Sequence, residues 1–196
     1  MADTFFTIGH STRTVAELVD LLRASGVQAL ADIRTVPRSR TNPQFNRDVL
    51  PSTLAPEGIA YEHVAELGGL RGKQRALEAS PNLFWANTSF RNYADYALTD
   101  TFRAGLARLL EIGDAKPAAV MCAEAVWWRC HRRIVADYLI VAGCRVFHIL
   151  GAGSVQPAAL TPAARPVAEG LVYPAPAEPA DDARRADAAR EDVCRG

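Results

Sequence analysis

The first 33 residues alternate between two short apolar runs and one amphipathic pattern. "TFFTIG" and "VQALADI" are short, apolar and free of proline, which is typical of buried strands. Between them, "TRTVAELVDLLRASG" has apolar residues at helical spacing, Thr14 and Glu17 in capping-box register, and Gly26 at its end. Because parallel strands need a crossover of this length, the pattern predicts a βαβ unit and therefore a parallel sheet.

The same alternation continues as far as residue 151. The runs "IAYEHVAEL", "PAAVMCAE" and "CRVFHIL" predict three further strands, and "DTFRAGLARLLEIG" and "HRRIVADYLIVAG" predict two further helices. Residues 34–46 contain prolines without periodicity and predict a long loop, and residues 81–96 give no firm assignment. We therefore expect one α/β domain over residues 1–151, with a mostly parallel sheet of about five strands.

The composition changes after Gly151, where alanine and proline become frequent. Residues 152–173 retain some apolar residues, and we expect them to form an extension that packs loosely on the domain. Residues 174–196 combine alanine, proline and charged residues without an apolar pattern. This composition predicts a disordered tail, in which Cys194 is an incidental thiol.

Charge and cysteine content exclude several classes of protein. Lysine plus arginine and aspartate plus glutamate both number 22, so no overall field attracts the chain to nucleic acid or to a membrane. The N-terminus lacks a basic segment followed by an apolar run, and no apolar stretch reaches the roughly 20 residues of a membrane helix. Four irregularly spaced cysteines do not form a disulfide framework. We therefore expect a cytoplasmic protein with reduced thiols.

Residues that carry chemistry follow the predicted strands. Since ligands of open α/β sheets bind at the carboxyl ends of the strands, we expect one site at this edge. The candidates after the first three strands are His10 and Ser11, then Asp32, Arg34, Arg38 and Arg40, then Glu66 and Gly68. The candidates that follow the fourth strand are Cys122, Glu124, Trp127, Cys130, His131 and Arg132.

The stretch "VMCAEAVWWRCHRR", residues 120–133, is the densest in reactive groups, and it allows three interpretations. The first is a metal site, because cysteine, histidine and glutamate are zinc ligands. Zinc sites favour closely spaced cysteine pairs, however, and the adjacency of Cys130 and His131 makes joint ligation awkward. The "CAE" segment resembles the C-x-E of zinc deaminases, but their P-C-x-x-C is missing. We therefore predict no cofactor and keep a metal-dependent hydrolase, with zinc as the candidate metal, as a less favoured alternative.

The second interpretation is a reactive thiol. Cys122 lies where a strand ends, and Cys130 lies where a helix begins beside His131, and either position can favour a thiolate. The phosphatase pattern C-x5-R is not met, and a small buried thiol would also explain Cys122. In a catalytic site, His10 and Glu124 would be candidates for proton transfer, with Asp32 and His131 as further catalytic candidates.

The third interpretation is an anion-binding pocket. A helix that begins near Cys130 offers free N–H groups and the positive end of its dipole. Arg132 lies at that helix start, and Arg34, Arg38 and Arg40 approach from the loop after the second strand. This arrangement favours a phosphate- or carboxylate-bearing ligand. Because Trp127 could stack on a base, a non-catalytic module that binds nucleotide or nucleic acid is the alternative.

Five ordered motifs carry a resemblance to a known family. "TIGHS", "DIRTVPRSRTNPQFN", "ELGGLRG", "FRNYADY" and "CAEAVWWRCHR" resemble the DUF488 family over roughly Phe5 to Leu150. The resemblance implies a Rossmann-like three-layer α/β fold, and it adds Asn42 and Tyr93 to the candidate ligand-binding residues. It implies no particular reaction. It does support one shared site, because the matched segments are mostly the loops at the sheet edge.

Overall fold

A six-stranded sheet forms the centre of the molecule. The computed structural model describes residues 4–176. The strands in chain order are β1 Thr4–Gly9, β2 Ala29–Asp32, β3 Ala60–His63, β4 Ala118–Cys122, β5 Arg145–Gly151 and β6 Ser154–Pro157. Their order in the sheet is β3-β2-β4-β1-β5-β6. The first five are parallel, and only β6 pairs antiparallel, with β5.

Helices cover both faces of the sheet. They are α1 Val15–Ala24, α2 Leu50–Leu54, α3 Thr88–Tyr96, α4 Asp100–Ala115 and α5 Arg132–Val141. The buried residues of α1 and α2 pack against one face, and those of α3, α4 and α5 pack against the other. The expected α/β class and mostly parallel sheet are confirmed, and the fold is a Rossmann-like three-layer domain.

Alternation along β4 determines which way its side chains face. Ala118, Val120 and Cys122 belong to the core beneath α4 and α5, whereas Ala119 and Met121 belong to the core beneath α1 and α2. This two-residue period is the normal geometry of a strand. Cys122, the last residue of β4, therefore lies on the same side of the sheet as α5.

Three short segments of the sequence can be compared with the fold. The capping box is confirmed, because the Thr14 hydroxyl accepts from the Glu17 N–H and the Glu17 carboxylate accepts from the Thr14 N–H. The unassigned stretch 81–96 contains α3, which begins after Asn87, whose side chain caps the first turn. The predicted long loop contains one short 3-10 turn, Pro43–Phe45, whose phenylalanine is buried.

The segment after Gly151 packs more tightly than its composition suggests. Beyond β6 it forms a hairpin of β7 Arg165–Val167 and β8 Gly170–Val172. Tyr173 is fully buried, and its hydroxyl and the Asp137 carboxylate are 3.0 Å apart. Tyr173 therefore anchors the end of this segment on the domain, although most of residues 152–170 are exposed. Most of the predicted disordered tail, residues 177–196, lies outside the described residues.

None of the helices within residues 4–176 is both long enough and apolar enough to cross a membrane.

Candidate functional site

The loops after β1 and β4 meet at the carboxyl edge of the sheet. The N–H of His10 donates to the Cys122 carbonyl at 2.9 Å, and the N–H of Ser11 donates to the Ala123 carbonyl at 2.9 Å. A Cβ on Gly9 would overlap the Glu124 carbonyl, so this approach requires glycine. The "GHS" and "CAE" segments are therefore hydrogen-bonded to each other at one edge of the sheet.

Three reactive side chains converge where β4 ends and α5 begins. Nδ1 of His131 lies 3.8 Å from Sγ of Cys122 and 3.6 Å from Sγ of Cys130. These three atoms all lie within 4.8 Å of one another. We refer to Cys122, Cys130 and His131 as the thiol cluster. It is the one group of three or more potential metal ligands in residues 4–176.

A change of backbone conformation brings neighbouring residues to the same point. Cys130 is extended, with φ −126° and ψ 144°, whereas His131 is helical, with φ −56° and ψ −21°. Their side chains can therefore face one centre although they are adjacent in sequence. Adjacency, which we expected to make joint ligation awkward, does not keep the two side chains apart.

The His131 ring is held from its far side. Its Nε2 lies 3.2 Å from the Ile33 carbonyl, an acceptor, so Nε2 carries a proton, and Nδ1 faces the two sulfurs. The Tyr93 ring contacts the imidazole edge-on at a centroid distance of 4.9 Å. A Cβ on Gly69 would overlap Nδ1, so the second glycine of "ELGGLRG" leaves room for the ring.

The two cysteines of the thiol cluster have opposite electrostatic character. A hydrogen bond from Cys130 lowers the pKa of Cys122 well below its ordinary value, and His131 adds to this effect. Burial raises the pKa of Cys130, and the neighbouring Cys122 raises it further. Cys122 is therefore the more acidic thiol of the pair, and Cys130 is the less acidic one.

The thiol cluster forms part of the wall of a cavity of about 400 Å³. Loops after β2 and β3 and the start of α3 supply the other walls. Residues around the cavity include Arg34, Val36, Leu70, Phe90, Glu124 and Arg129. Val36 and Leu70 are largely exposed, so the mouth has an apolar rim. Val36, Leu70 and Phe90 lie within the motif segments, but sequence reasoning did not select them as site residues.

A second group of polar residues lies beside the thiol cluster, and its members hydrogen-bond mainly to one another. The Arg34 guanidinium binds both oxygens of the Asp32 carboxylate, at 2.5 to 3.1 Å, and also the Phe45 carbonyl at 2.6 Å. The Tyr61 hydroxyl donates to Asp32 at 2.7 Å. His10 stacks on Phe45 and lies 3.2 Å from Arg34. We refer to His10, Asp32, Arg34 and Tyr61 as the ion-pair group.

The other predicted arginines lie in different surroundings. Arg132 is buried and donates to the Glu124 and Ala125 carbonyls at 2.5 and 2.9 Å, so it fixes the loop after β4. Arg38 and Arg40 are exposed and are absent from the cavity wall. Arg38 lines a separate depression with Arg47 and Asp48. Arg34 and Arg129 are the arginines that line the cavity.

The remaining predicted ligand-binding residues have structural contacts. The Tyr93 hydroxyl donates to the Leu67 carbonyl, and the Trp127 ring stacks on His148 at a centroid distance of 4.3 Å. Glu66 is exposed, and its carbonyl accepts from the Tyr96 hydroxyl. Neighbouring loop contacts involve Ser11, Gly68 and Asn42: Ser11 has a positive φ of 50°, Gly68 packs on Thr35, and the Asn42 N–H donates to Ser39. None of these six residues lines the cavity.

A comparison with protein families identifies the chain's relatives. The family model described as "Domain of unknown function DUF488" matches residues 14–139, well over half of the sequence. The chain belongs to the DUF488 family. The DUF488 match includes the whole thiol cluster and most of the ion-pair group, but β1 and His10 precede it. No curated protein and no solved structure matches the chain.

Proposed function

We propose that the cavity is a catalytic site for a small molecule that carries a phosphate or carboxylate group. The thiol cluster is its reactive centre, and Glu124 is its proton-transfer group. The observation that carries this proposal is the convergence of Cys122, Cys130 and His131 on one wall of the cavity. Perturbed ionisable groups in a cleft are typical of catalytic sites.

The size and lining of the cavity favour a small substrate. Binding sites for small molecules have volumes of roughly 300 to 1,000 Å³, and they combine apolar walls with a few polar groups. At about 400 Å³, with Phe90 and Leu70 in its wall and Arg129 and Glu124 as polar groups, this cavity fits that description. A nucleic-acid strand is a less suitable ligand, because the Trp127 ring, which could have stacked on a base, is already stacked on His148.

The preference for an anion rests on two neighbouring positive features. Arg129 is exposed at the cavity, where its guanidinium can bind phosphate or carboxylate in a bidentate manner. The start of α5, at Arg132, lies next to the thiol cluster, and the positive end of its dipole attracts negative charge. Arg34 also lines the cavity, but its guanidinium is engaged by Asp32.

The proposal is tested by protection of Cys122 from alkylation. In untagged full-length protein stripped of metal by a chelator, iodoacetamide should modify Cys122 faster than the buried Cys144, as measured by peptide mass spectrometry. Phosphate or citrate should slow the modification of Cys122. Arg129→Ala should weaken this protection about tenfold, since a hydrogen bond to a charged group contributes about 1.5–3 kcal/mol.

Arg165→Ala is the matched control, because Arg165 lies in β7 and outside the cavity wall. It should leave the protection unchanged. Two results would overturn the proposal. One is equal alkylation of Cys122 and Cys144, and the other is a Cys122 rate that no phosphate, carboxylate or nucleotide alters.

A further inference from the structure

We propose that Cys122, Cys130 and His131 are the protein ligands of a divalent metal ion of the zinc class. Its fourth coordination position faces the cavity. This inference rests on the proposed function in one respect, that the thiol cluster is the reactive centre. It adds the cofactor of that centre.

The two distances from His131 to the sulfurs match a tetrahedral site. With Zn–S bonds of about 2.3 Å and a Zn–N bond of about 2.0–2.1 Å, tetrahedral angles place sulfur and nitrogen about 3.6 Å apart. The observed distances from Nδ1 of His131 are 3.8 Å to Cys122 and 3.6 Å to Cys130. The two sulfurs lie within 4.8 Å of each other, so one ion can reach all three atoms.

The orientation of His131 is also that of a metal ligand. Its Nε2–H donates to the Ile33 carbonyl, which leaves Nδ1, on the side of the sulfurs, as the nitrogen that can bind a metal. Histidine ligands of metals almost always have such a partner on the other ring nitrogen, because it fixes the tautomer and the ring. Gly69 lacks the Cβ that would overlap Nδ1, so the backbone leaves space at this atom.

The donor set and its surroundings define the class of metal. Two thiolates and an imidazole favour zinc or a similar soft ion over magnesium or calcium, which prefer oxygen ligands. Both cysteines are almost completely buried, with 6% and 3% of their surfaces exposed. The ligands are thus held in the protein, while the cavity beside them gives access to a small molecule.

An open fourth position is the arrangement of catalytic zinc rather than structural zinc. A water molecule bound there would lie in the cavity, which Glu124 also lines. Glu124 follows Cys122 by two residues, so the loop after β4 supplies a ligand and a base together. A metal ion held there would supply Lewis-acid activation of a water molecule, and Glu124 is the carboxylate at the cavity that would accept a proton.

The experiment measures metal content and the spectrum of a cobalt-substituted protein. Untagged full-length protein expressed with added zinc should contain about one equivalent of metal by elemental analysis. Replacement by Co²⁺ should give the visible absorption of tetrahedral cobalt and a thiolate charge-transfer band. Cys122→Ser, Cys130→Ser and His131→Gln should each lose most of the metal and change this spectrum.

Two matched controls separate ligands from neighbours. Cys144→Ser removes another buried cysteine and should keep the full equivalent of metal and the wild-type cobalt spectrum. Glu124→Gln should also keep the metal, since Glu124 is proposed as a base and not as a ligand. The cobalt spectrum of the wild type decides the question even if a ligand variant fails to fold.

The inference is overturned if wild-type protein contains negligible metal and Co²⁺ gives no thiolate band. It is also overturned if metal is present but unaffected by replacement of any of the three ligands in folded protein. Neither result contradicts the proposed function, because the protection of Cys122 by phosphate is measured after the metal has been removed. Conversely, bound metal without protection by any anion would leave the metal site intact and refute the anionic substrate.

Discussion

The thiol cluster and the ion-pair group lie at the same edge of the sheet, yet they differ in how their polar atoms are satisfied. In the ion-pair group, Arg34, Asp32 and Tyr61 satisfy one another through short hydrogen bonds. In the thiol cluster, the sulfurs and the imidazole approach at 3.6 and 3.8 Å, beside an open cavity. Both groups contain residue types that catalyse reactions.

The difference shows that residue type alone does not identify a functional site. A buried polar group needs a partner, and Asp32 has found its partners within the protein. Such a group stabilises the fold and has little capacity left for a ligand. The thiol cluster faces a volume that an ion or a substrate can fill. Substitutions at Arg34, Gly69 and His10 test this distinction, and the largest effect is expected at Arg34.

Removal of Arg34 should destabilise the protein strongly. Arg34→Ala would leave the fully buried Asp32 carboxylate without its cation. Breaking a buried ion pair in this way costs about 3–5 kcal/mol, measured as the free energy of unfolding in urea. Arg129→Ala, at an exposed arginine of the same edge, should change this free energy by no more than about 0.5 kcal/mol. Similar losses for the two variants would remove the distinction between the groups.

A methyl group at Gly69 should disturb the thiol cluster specifically. In Gly69→Ala the new Cβ would overlap Nδ1 of His131, so the ring must shift, at a cost of about 1–3 kcal/mol. Alkylation of Cys122 should slow as His131 moves away. The control is Gly72→Ala, whose Cβ meets no atom within 4 Å. If both variants melt and react alike, the position of His131 has no bearing on the reactivity of Cys122.

Acid should weaken the protein through His10, and this is the smallest of the three effects. Burial lowers the pKa of His10 below its ordinary value of 6.5, and the adjacent Arg34 opposes protonation further. The unfolded chain therefore binds the proton first, and stability is lost as pH falls below 6.5. His10→Gln should make the dependence of the unfolding free energy on pH shallower.

The slope should decrease in His10→Gln without disappearing. Burial also lowers the pKa of His148, to about 4, and this histidine contributes in the same direction. Urea denaturation at several pH values measures the slope. An unchanged slope would mean that His10 accepts a proton in the folded protein, as a proton-transfer group open to the cavity would.

The parallel sheet could be predicted from the sequence because the information for it is local. Each strand is a short apolar run, and each crossover is an amphipathic helix with recognisable ends. The edge at which Cys122 lies follows from the same pattern. The small helix α2, with only five residues and two prolines within or just after it, has no such signal and was not predicted.

The composition of the site could be predicted only in part. Cys130 and His131 converge with Cys122 because the backbone changes from extended to helical between them, and composition does not reveal such a change. Arg132 was expected to bind a ligand, but its donors are used by the Glu124 and Ala125 carbonyls. A loop carbonyl needs a hydrogen-bond donor, just as an anionic ligand does. The sequence does not show which of the two an arginine binds.

The burial of Tyr173 has a consequence for synthesis of the chain on the ribosome. All five parallel strands have been translated by Gly151, but the space beside Trp85 that Tyr173 fills is still empty at that point. The buried Asp137 also lacks the phenolic hydroxyl that later contacts it. Nascent chains fold from the N-terminus as they emerge, so this apolar wall stays in contact with water until the last hairpin arrives. Packing of the β7–β8 hairpin and Tyr173, rather than formation of the five parallel strands, therefore completes this part of the core.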